Sequence, residues 1–254
     1  MATVLNSEII VGELARFLRR HYGHAPGEVL LDLGAGVKPY APMYEPYFTR
    51  CVSVDVAHSQ HDVSTVDALA SADELPFDDG TFNCVLCTEV LEHCSEPAAV
   101  MAEIARVLRP DGRLFLTTPF MAALHEMPHD YYRYTPSALR HLAQSAGLDV
   151  TSIRSRGDYV AMLLLILAMP AAKTWHIASR LTGLPLYRYA NPIVYVTIVL
   201  PQLIYAAVWH RLVSNPARVL GRLHRRLAYY TPGYVTTLTK SAAAPTPNTR
   251  RHAS

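Results

Sequence analysis

Apolar positions recur at helical spacing over residues 7–21, where Ile9, Ile10, Leu14, Phe17 and Leu18 follow Ser7, a side chain suited to N-capping. The pattern then changes to short continuous runs. Val29-Leu-Leu-Asp-Leu33 ends at Gly34-Ala35-Gly36 and predicts a buried strand feeding a tight turn. Cys51-Val-Ser-Val-Asp55 alternates and closes on a carboxylate, predicting a second strand; a third is faint over Val66–Ala72. Asn83–Cys87 reads as a fourth strand, Pro97–Leu108 as a helix, Arg109-Pro-Asp-Gly112 as a turn and Arg113–Thr117 as a fifth strand. Thr135-Pro136 opens a helix to Ala146 that Gly147 stops, and Asp149–Arg154 predicts a sixth strand. Strands alternating with helices predict an α/β fold, a mostly parallel sheet with helices on both faces. Such sheets bind ligands at the carboxyl ends of their strands, where strand order reverses. That draws attention to Gly34–Lys38, Asp55, Ser71–Ala72 and Cys87–Leu91.

Length and charge refine this picture. With 254 residues, half of them hydrophobic, there is enough chain for one α/β domain and an appendage but not for two full domains. The net charge of +2 conceals an asymmetry. Residues 1–150 carry 10 Lys and Arg against 20 Asp and Glu, whereas residues 151–254 carry 13 against the single Asp158. The start of the chain meets Glu8 and Glu13 before its first Arg, so no secretory signal is expected there. Four Cys (51, 84, 87 and 94) make no disulfide framework and fit a cytoplasmic protein. Cys84 and Cys87 lie within a strand, on opposite faces and with no second ligand pair, so no metal site is expected.

The turn after the first strand also bears on the cofactor. A dinucleotide fingerprint would need a third Gly at position 39, and that position is Pro39. Pyrophosphate needs close backbone approach and a free helix N-terminus, for which Val37-Lys-Pro-Tyr40 is poorly built. A nucleoside without phosphates needs only small residues beneath it and a carboxylate for its ribose, and Asp55 is placed for that. The acidic first half suits a cationic sulfonium better than a polyanion. These features favour S-adenosylmethionine over NAD.

Taken together, Val29-Leu-Leu-Asp-Leu-Gly-Ala-Gly36, Glu74-Leu-Pro-Phe-Asp-Asp-Gly-Thr-Phe82, Cys87-Thr-Glu-Val-Leu-Glu-His93 and Glu103-Ile-Ala-Arg-Val-Leu-Arg-Pro-Asp-Gly112 resemble the ordered motifs of class I S-adenosylmethionine-dependent methyltransferases, type 11 branch. The resemblance covers roughly residues 25–155 and implies a Rossmann-like fold with a seven-stranded sheet. It also implies that Asp32, Gly34 and Gly36 shape the turn under the methionine part of the cofactor and that Asp55 accepts from both ribose hydroxyls. Ser71 and Ala72 would border the adenine, with Cys87 and Thr88 facing the cofactor from below. Two positions depart from the family pattern, which usually has Asp where this chain has Ser71 and Asn83.

Methyl transfer from a sulfonium is an in-line displacement that relies mainly on holding two reactants in contact. A hydroxyl acceptor also needs a base. The richest polar block is Leu124-His-Glu-Met-Pro-His-Asp-Tyr-Tyr-Arg-Tyr134, after the fifth strand. There His125 is the leading base and Asp130 the second; Arg133 is a clamp for the acceptor, and Tyr131 and Tyr132 its wall. The alternative is that Asp130 and Arg133 pair to fix the loop while the Tyr rings pack. Glu89 and Glu92 read as helix-start or solvent carboxylates rather than catalysts, and His93 as a pocket or a packing residue. The block resembles a segment of type 11 enzymes that accompany surface-glycan and glycolipid pathways, which implies O-methylation of a glycan or lipid-linked acceptor. A quinone or lipid acceptor and a non-catalytic cofactor-binding module are the alternatives.

The basic half adds a membrane question. Residues 159–172 and 189–209 are uncharged and apolar, but their flanking Arg residues argue against a clean spanning topology. From Asn215-Pro216 onward, Val219, Leu220, Leu223, Leu227 and Tyr230 share one helical arc, and Arg218, Arg222, Arg225 and Arg226 lie opposite. A basic amphipathic helix of this kind suits the headgroup region of an anionic leaflet, at the inner face of the cytoplasmic membrane; an extra helical layer on the sheet is the alternative. Thr231–Lys240 alternates and resembles the last strand of the methyltransferase sheet. The organisation expected is therefore a core of residues 1–157 completed by 231–240, an apolar and basic insertion of 158–230, and a disordered tail of 241–254. No nucleic-acid motif is present, so no nucleic-acid partner is expected.

Overall fold

The run Val29–Leu33 is apolar on both faces except at Asp32, and it forms β1, with Leu30, Leu31 and Leu33 sealed from solvent. A strand buried on both faces belongs in the interior of a sheet. β1 pairs in parallel with β2 (Arg50–Asp55) on one edge and with β4 (Phe82–Thr88) on the other, and the two-residue β3 (Ala68–Leu69) adds parallel to β2. The structure is a computed structural model and describes residues 4–22, 27–164, 166, 200–213 and 230–241.

The remaining strands are β5 (Leu108–Pro119), β6 (Leu148–Ser155) and β7 (Gly233–Lys240). All seven form one mixed sheet in the order β3-β2-β1-β4-β5-β7-β6. Strand order reverses between β1 and β4, so their carboxyl ends open the crevice in which such sheets bind ligands. The last strand thus enters between β5 and β6. Thr151 Oγ1 donates to the Thr237 carbonyl at 2.8 Å, and Lys240 Nζ to the Leu108 carbonyl at 2.7 Å.

The helices are α1 (Val4–His21), α2 (Ala41–Tyr44), α3 (Pro97–Val107), α4 (Pro136–Ser145), α5 (residues 159–164) and α6 (Leu200–Val213). α4 begins as its sequence requires, with Pro136 in its first turn and Thr135 Oγ1 accepting from the Ala138 N–H at 3.2 Å. Gly147, left-handed at φ 72°, ends it. α1 starts at Val4, so Ser7 lies inside the helix rather than at its cap. β5 also differs from the expected turn-then-strand. It runs from Leu108 through Arg109–Gly112, with the fold absorbed by a left-handed Asp111 (φ 62°). Asp tolerates that region better than most residues do.

The chain divides into two compact units. One comprises Met1–Gly23, Thr117–His125 and Arg154–Val235. In it Ile9, Ile10, Leu14, Phe17 and Leu18 of α1 are all buried, and α1 packs on α6. Asp158 Oδ1 accepts from the Val160 N–H (2.9 Å) and from the Tyr205 hydroxyl (2.6 Å), which caps α5 and ties it to α6. The other unit comprises His24–Leu116, Glu126–Ile153 and Thr236–Ser254, and holds β1 to β4, α2, α3 and α4. Among the described residues no helix is long and apolar enough to cross a membrane. Most of the predicted insertion, including the basic amphipathic segment, and nearly all of the predicted tail lie outside the described residues.

Candidate functional site

The crevice is built from the glycine turn upward. The Gly34 and Ala35 N–H groups both donate to the Val54 carbonyl, at 2.8 and 3.1 Å, so the turn after β1 is hooked onto the end of β2. Gly34 is left-handed (φ 71°), and a Cβ there would overlap the Val90 side chain. Gly36 is also left-handed (φ 50°), and its N–H donates to Asp55 Oδ2 at 2.7 Å. The other Asp55 oxygen accepts from the Val56 N–H at 2.7 Å. Asp55 is thereby buried and fixed with one backbone donor on each oxygen, and each oxygen keeps acceptor capacity for a further hydroxyl. This arrangement fits a ribose.

Asp32 sits beneath the turn, 2% exposed, accepting from the Tyr44 hydroxyl at 2.9 Å. Burial raises its pKa to about 6; the Tyr44 hydrogen bond and Lys38 work in the opposite direction. Beyond β3, the Ala70 N–H donates to the Asp55 carbonyl at 3.0 Å, which draws the Ser71–Ala72 segment to the end of β2. Ala72 is buried, and the Ser71 hydroxyl donates to the Asp73 carboxylate. On the other side of β1, Cys87 pairs with Leu33 and is fully buried, which pushes its thiol well above the ordinary range. A thiol so protonated is a poor nucleophile at neutral pH. Thr88 follows, partly exposed at the strand end.

The helix after the turn decides against a phosphate. α2 has only four residues, is separated from Gly36 by Val37–Tyr40, and has no side-chain cap. No helix N-terminus is therefore presented at the turn to hold a pyrophosphate.

A second cluster of polar side chains in the same unit is organised around the segment after β4. Left-handed Glu89 (φ 56°) leads into a 3-10 turn, Leu91–His93, in which Glu92 is sealed from solvent. The tyrosine block is stitched onto this segment. The Tyr131 N–H donates to the Glu92 carbonyl (2.9 Å), the Tyr132 hydroxyl to the Ser95 carbonyl (2.9 Å) and the Tyr134 hydroxyl to the Leu91 carbonyl (2.9 Å). Tyr134 is buried, while Tyr131 and Tyr132 keep exposed rings. Burial, reinforced by Glu92, raises the Tyr134 hydroxyl far above its ordinary value. Asp130 and Arg133 form a two-pronged ion pair at 2.6 and 2.8 Å, and the Asp130 hydrogen bond raises the Arg133 pKa.

Three further residues join this mouth without having been singled out as site residues. Glu126 lies 3.3 Å from His61 Nε2 through one oxygen and 3.8 Å from His93 Nε2 through the other. His61 packs on the glycine turn, its Cβ 3.3 Å from where a Gly36 Cβ would stand. His93 Nδ1 is 2.6 Å from the His129 carbonyl. His93 carried a signal in the Glu-Val-Leu-Glu-His run and Glu126 lay within the polar block after the fifth strand; His61 carried none, and nothing in sequence joins the loops after β2 and β5. His125 belongs to the first unit, with Nδ1 3.3 Å from the Ala123 carbonyl.

Comparison with known proteins bears on this site. Residues 31–116 match the family described as "Methyltransferase domain". The "Uncharacterized methyltransferase YcgJ" of Bacillus subtilis is 32% identical over 98 residues, covering 34% of this chain and 39% of that protein. This chain therefore aligns with well under half the length of that curated relative. The crystal structure of YcgJ superposes with a TM-score of 0.51 at 17% identity, over 92% of this chain and 98% of that one. A "Ubiquinone biosynthesis O-methyltransferase" of Burkholderia thailandensis is 25% identical over 161 residues, 52% of this chain and 69% of the relative. The "[4+2]-Cyclase SpnF" shares the fold with a TM-score of 0.58 at 19% identity, over 91% of this chain and 81% of that one.

Proposed function

With residues 31–116 forming a class I, S-adenosylmethionine-dependent methyltransferase domain, we propose that the chain methylates a hydroxyl of a glycan or lipid-linked acceptor at the cytoplasmic face of the membrane. The observation that carries the cofactor side is the clasp between Gly36 and Asp55, together with the absence of a helix N-terminus at the turn. When bound, S-adenosylmethionine supplies an electrophilic methyl group on a positively charged sulfur. Asp55 then takes the ribose hydroxyls, Gly34 and Gly36 give the backbone close approach, and Asp32 stands under the methionine end. Ser71 and Ala72 border the adenine, and Cys87 and Thr88 form the floor.

Tyr131 and Tyr132 offer exposed rings as the acceptor wall. Asp130 and Arg133 hold each other, which favours a bracing role for both over base and clamp. A hydroxyl acceptor also needs a base, for which His125 and His93 are the candidate histidines. The membrane side of the reading draws support from the basic second half and from exposed Tyr159, Ile166, Ile204, Val208 and Tyr230 in the first unit. A quinone-type acceptor is the second reading, favoured by the similarity to the ubiquinone-pathway enzyme. Fold alone chooses neither, since a cyclase shares it.

Calorimetric titration tests the core of this reading. S-adenosylmethionine and S-adenosylhomocysteine should bind and NAD should not. Asp55→Ala should weaken binding at least tenfold, about the worth of one charge-assisted hydrogen bond. Binding of NAD with no binding of either sulfur nucleoside would overturn the reading.

A further inference from the structure

We propose that His93 is the general base that takes the acceptor's proton, with Glu126 as its positioning residue; this rests on the methyltransferase reading above. His93 lies in the 3-10 turn that follows β4, at the carboxyl edge of the strand adjacent to the glycine-bearing β1. Its Nδ1 is 2.6 Å from the His129 carbonyl, and a carbonyl can only accept, so Nδ1 carries the proton. The neutral ring therefore holds its lone pair on Nε2. A base is oriented in the same way when its second nitrogen is tied to a fixed acceptor.

Two carboxylates flank Nε2, Glu92 Oε1 at 3.7 Å and Glu126 Oε2 at 3.8 Å. Both stabilise the imidazolium that proton abstraction creates. Glu92 is sealed in the core, whereas Glu126 is partly exposed and also reaches His61 over the glycine turn. One carboxylate thus links the histidine on the cofactor turn to the histidine after β4. In the step, the acceptor O–H bond breaks and its proton passes to His93 Nε2. The new O–C bond forms as the S–C bond of the donor breaks, and that electron pair stays on sulfur to give the neutral thioether. Imidazolium then returns its proton to solvent.

Within its own unit, the titratable side chains at the His93 ring are Glu92 on its own turn and Glu126 from the segment after β5, with His61 across Glu126. Nitrogen-15 spectra of the histidine rings in the complex with S-adenosylhomocysteine read the tautomer, with His93→Gln identifying the signal. The expected result is neutral His93 protonated on Nδ1, with an Nε2 signal that shifts in Glu126→Gln and is restored in Glu126→Asp. Turnover of tritiated S-adenosylmethionine with 3,4-dihydroxybenzoate as hydroxyl probe should fall about 100-fold in His93→Gln, with the cofactor KM within twofold. His125→Gln should lose far less. A His93 proton on Nε2, an unmoved Nε2 signal in Glu126→Gln, or a larger turnover loss in His125→Gln overturns the assignment. If 3,4-dihydroxybenzoate is not methylated, the spectra decide alone. Failure of wild-type protein to bind S-adenosylhomocysteine would instead overturn the methyltransferase reading.

Discussion

Asp32 shows what a single buried carboxylate can cost a fold. Its pKa stands at about 6 in the folded protein against 3.8 ordinarily, so between those values the folded state holds a proton that the unfolded state has released. Stability contributed by this group therefore falls as pH rises through that window, by about 3 kcal/mol in all, and stays low above it. Asn at this position keeps an acceptor for the Tyr44 hydroxyl and removes the charge. Asp32→Asn should raise unfolding stability at pH 7.5 by about 1–3 kcal/mol, with a smaller gain at pH 5. Under the proposed function the same change weakens S-adenosylmethionine binding. Urea unfolding at the two pH values checks the first part, and a variant less stable at pH 7.5 would refute it. A carboxylate that lowers stability in the resting protein is the kind of residue a binding site retains.

Among the elements, the segment before β4 and helix α3 form one clasp. Arg106 donates to the Phe77 carbonyl (2.7 Å), the Leu75 carbonyl (3.0 Å) and Asp79 (2.8 Å), and pairs with Glu103. Glu103 in turn accepts from the Leu75 N–H at 2.9 Å. Arg106→Ala should lower stability by about 1–3 kcal/mol, a fall of roughly 2–4 °C in Tm per kcal/mol, measurable by scanning calorimetry. An unchanged Tm would mean that water replaces the guanidinium without loss. Both halves of this clasp stand out in the sequence as separate motifs, but their union does not. The same holds more widely. Strands β1, β2, β4 and β6 and helices α3 and α4 were legible to within a few residues, because buried runs, Thr135-Pro136 and Gly147 mark them. The glycine turn and Asp55 were legible as the ends of β1 and β2 for the same reason. What could not be read were links between loops far apart in sequence, such as Glu126 to His61, and the continuity of β5 through Arg109–Gly112. Those depend on which strands become neighbours, and no local pattern encodes that.

For the whole molecule, the division of charge between the acidic first 150 residues and the basic remainder has a measurable consequence. If the second half rests on an anionic leaflet, binding should combine apolar contact with an electrostatic term that salt weakens. Flotation with vesicles of phosphatidylglycerol should recover the protein, vesicles of phosphatidylcholine should recover much less, and 0.5 M salt should reduce the difference, since the screening length shortens to a few ångströms. Equal recovery with both lipids, or none with either, would remove the membrane part of the proposed function.

The position of β7 bears on how the protein is made. Of the seven strands it is the last in sequence, yet it lies inside the sheet, separating β5 from β6. While the nascent chain is still growing, β5 presents an unpaired edge and β6 has no partner to dock on. Such an edge invites pairing with another chain. Completion of the sheet is thus postponed until residues 233–240 have left the ribosome, and until then the edge of β5 stays open.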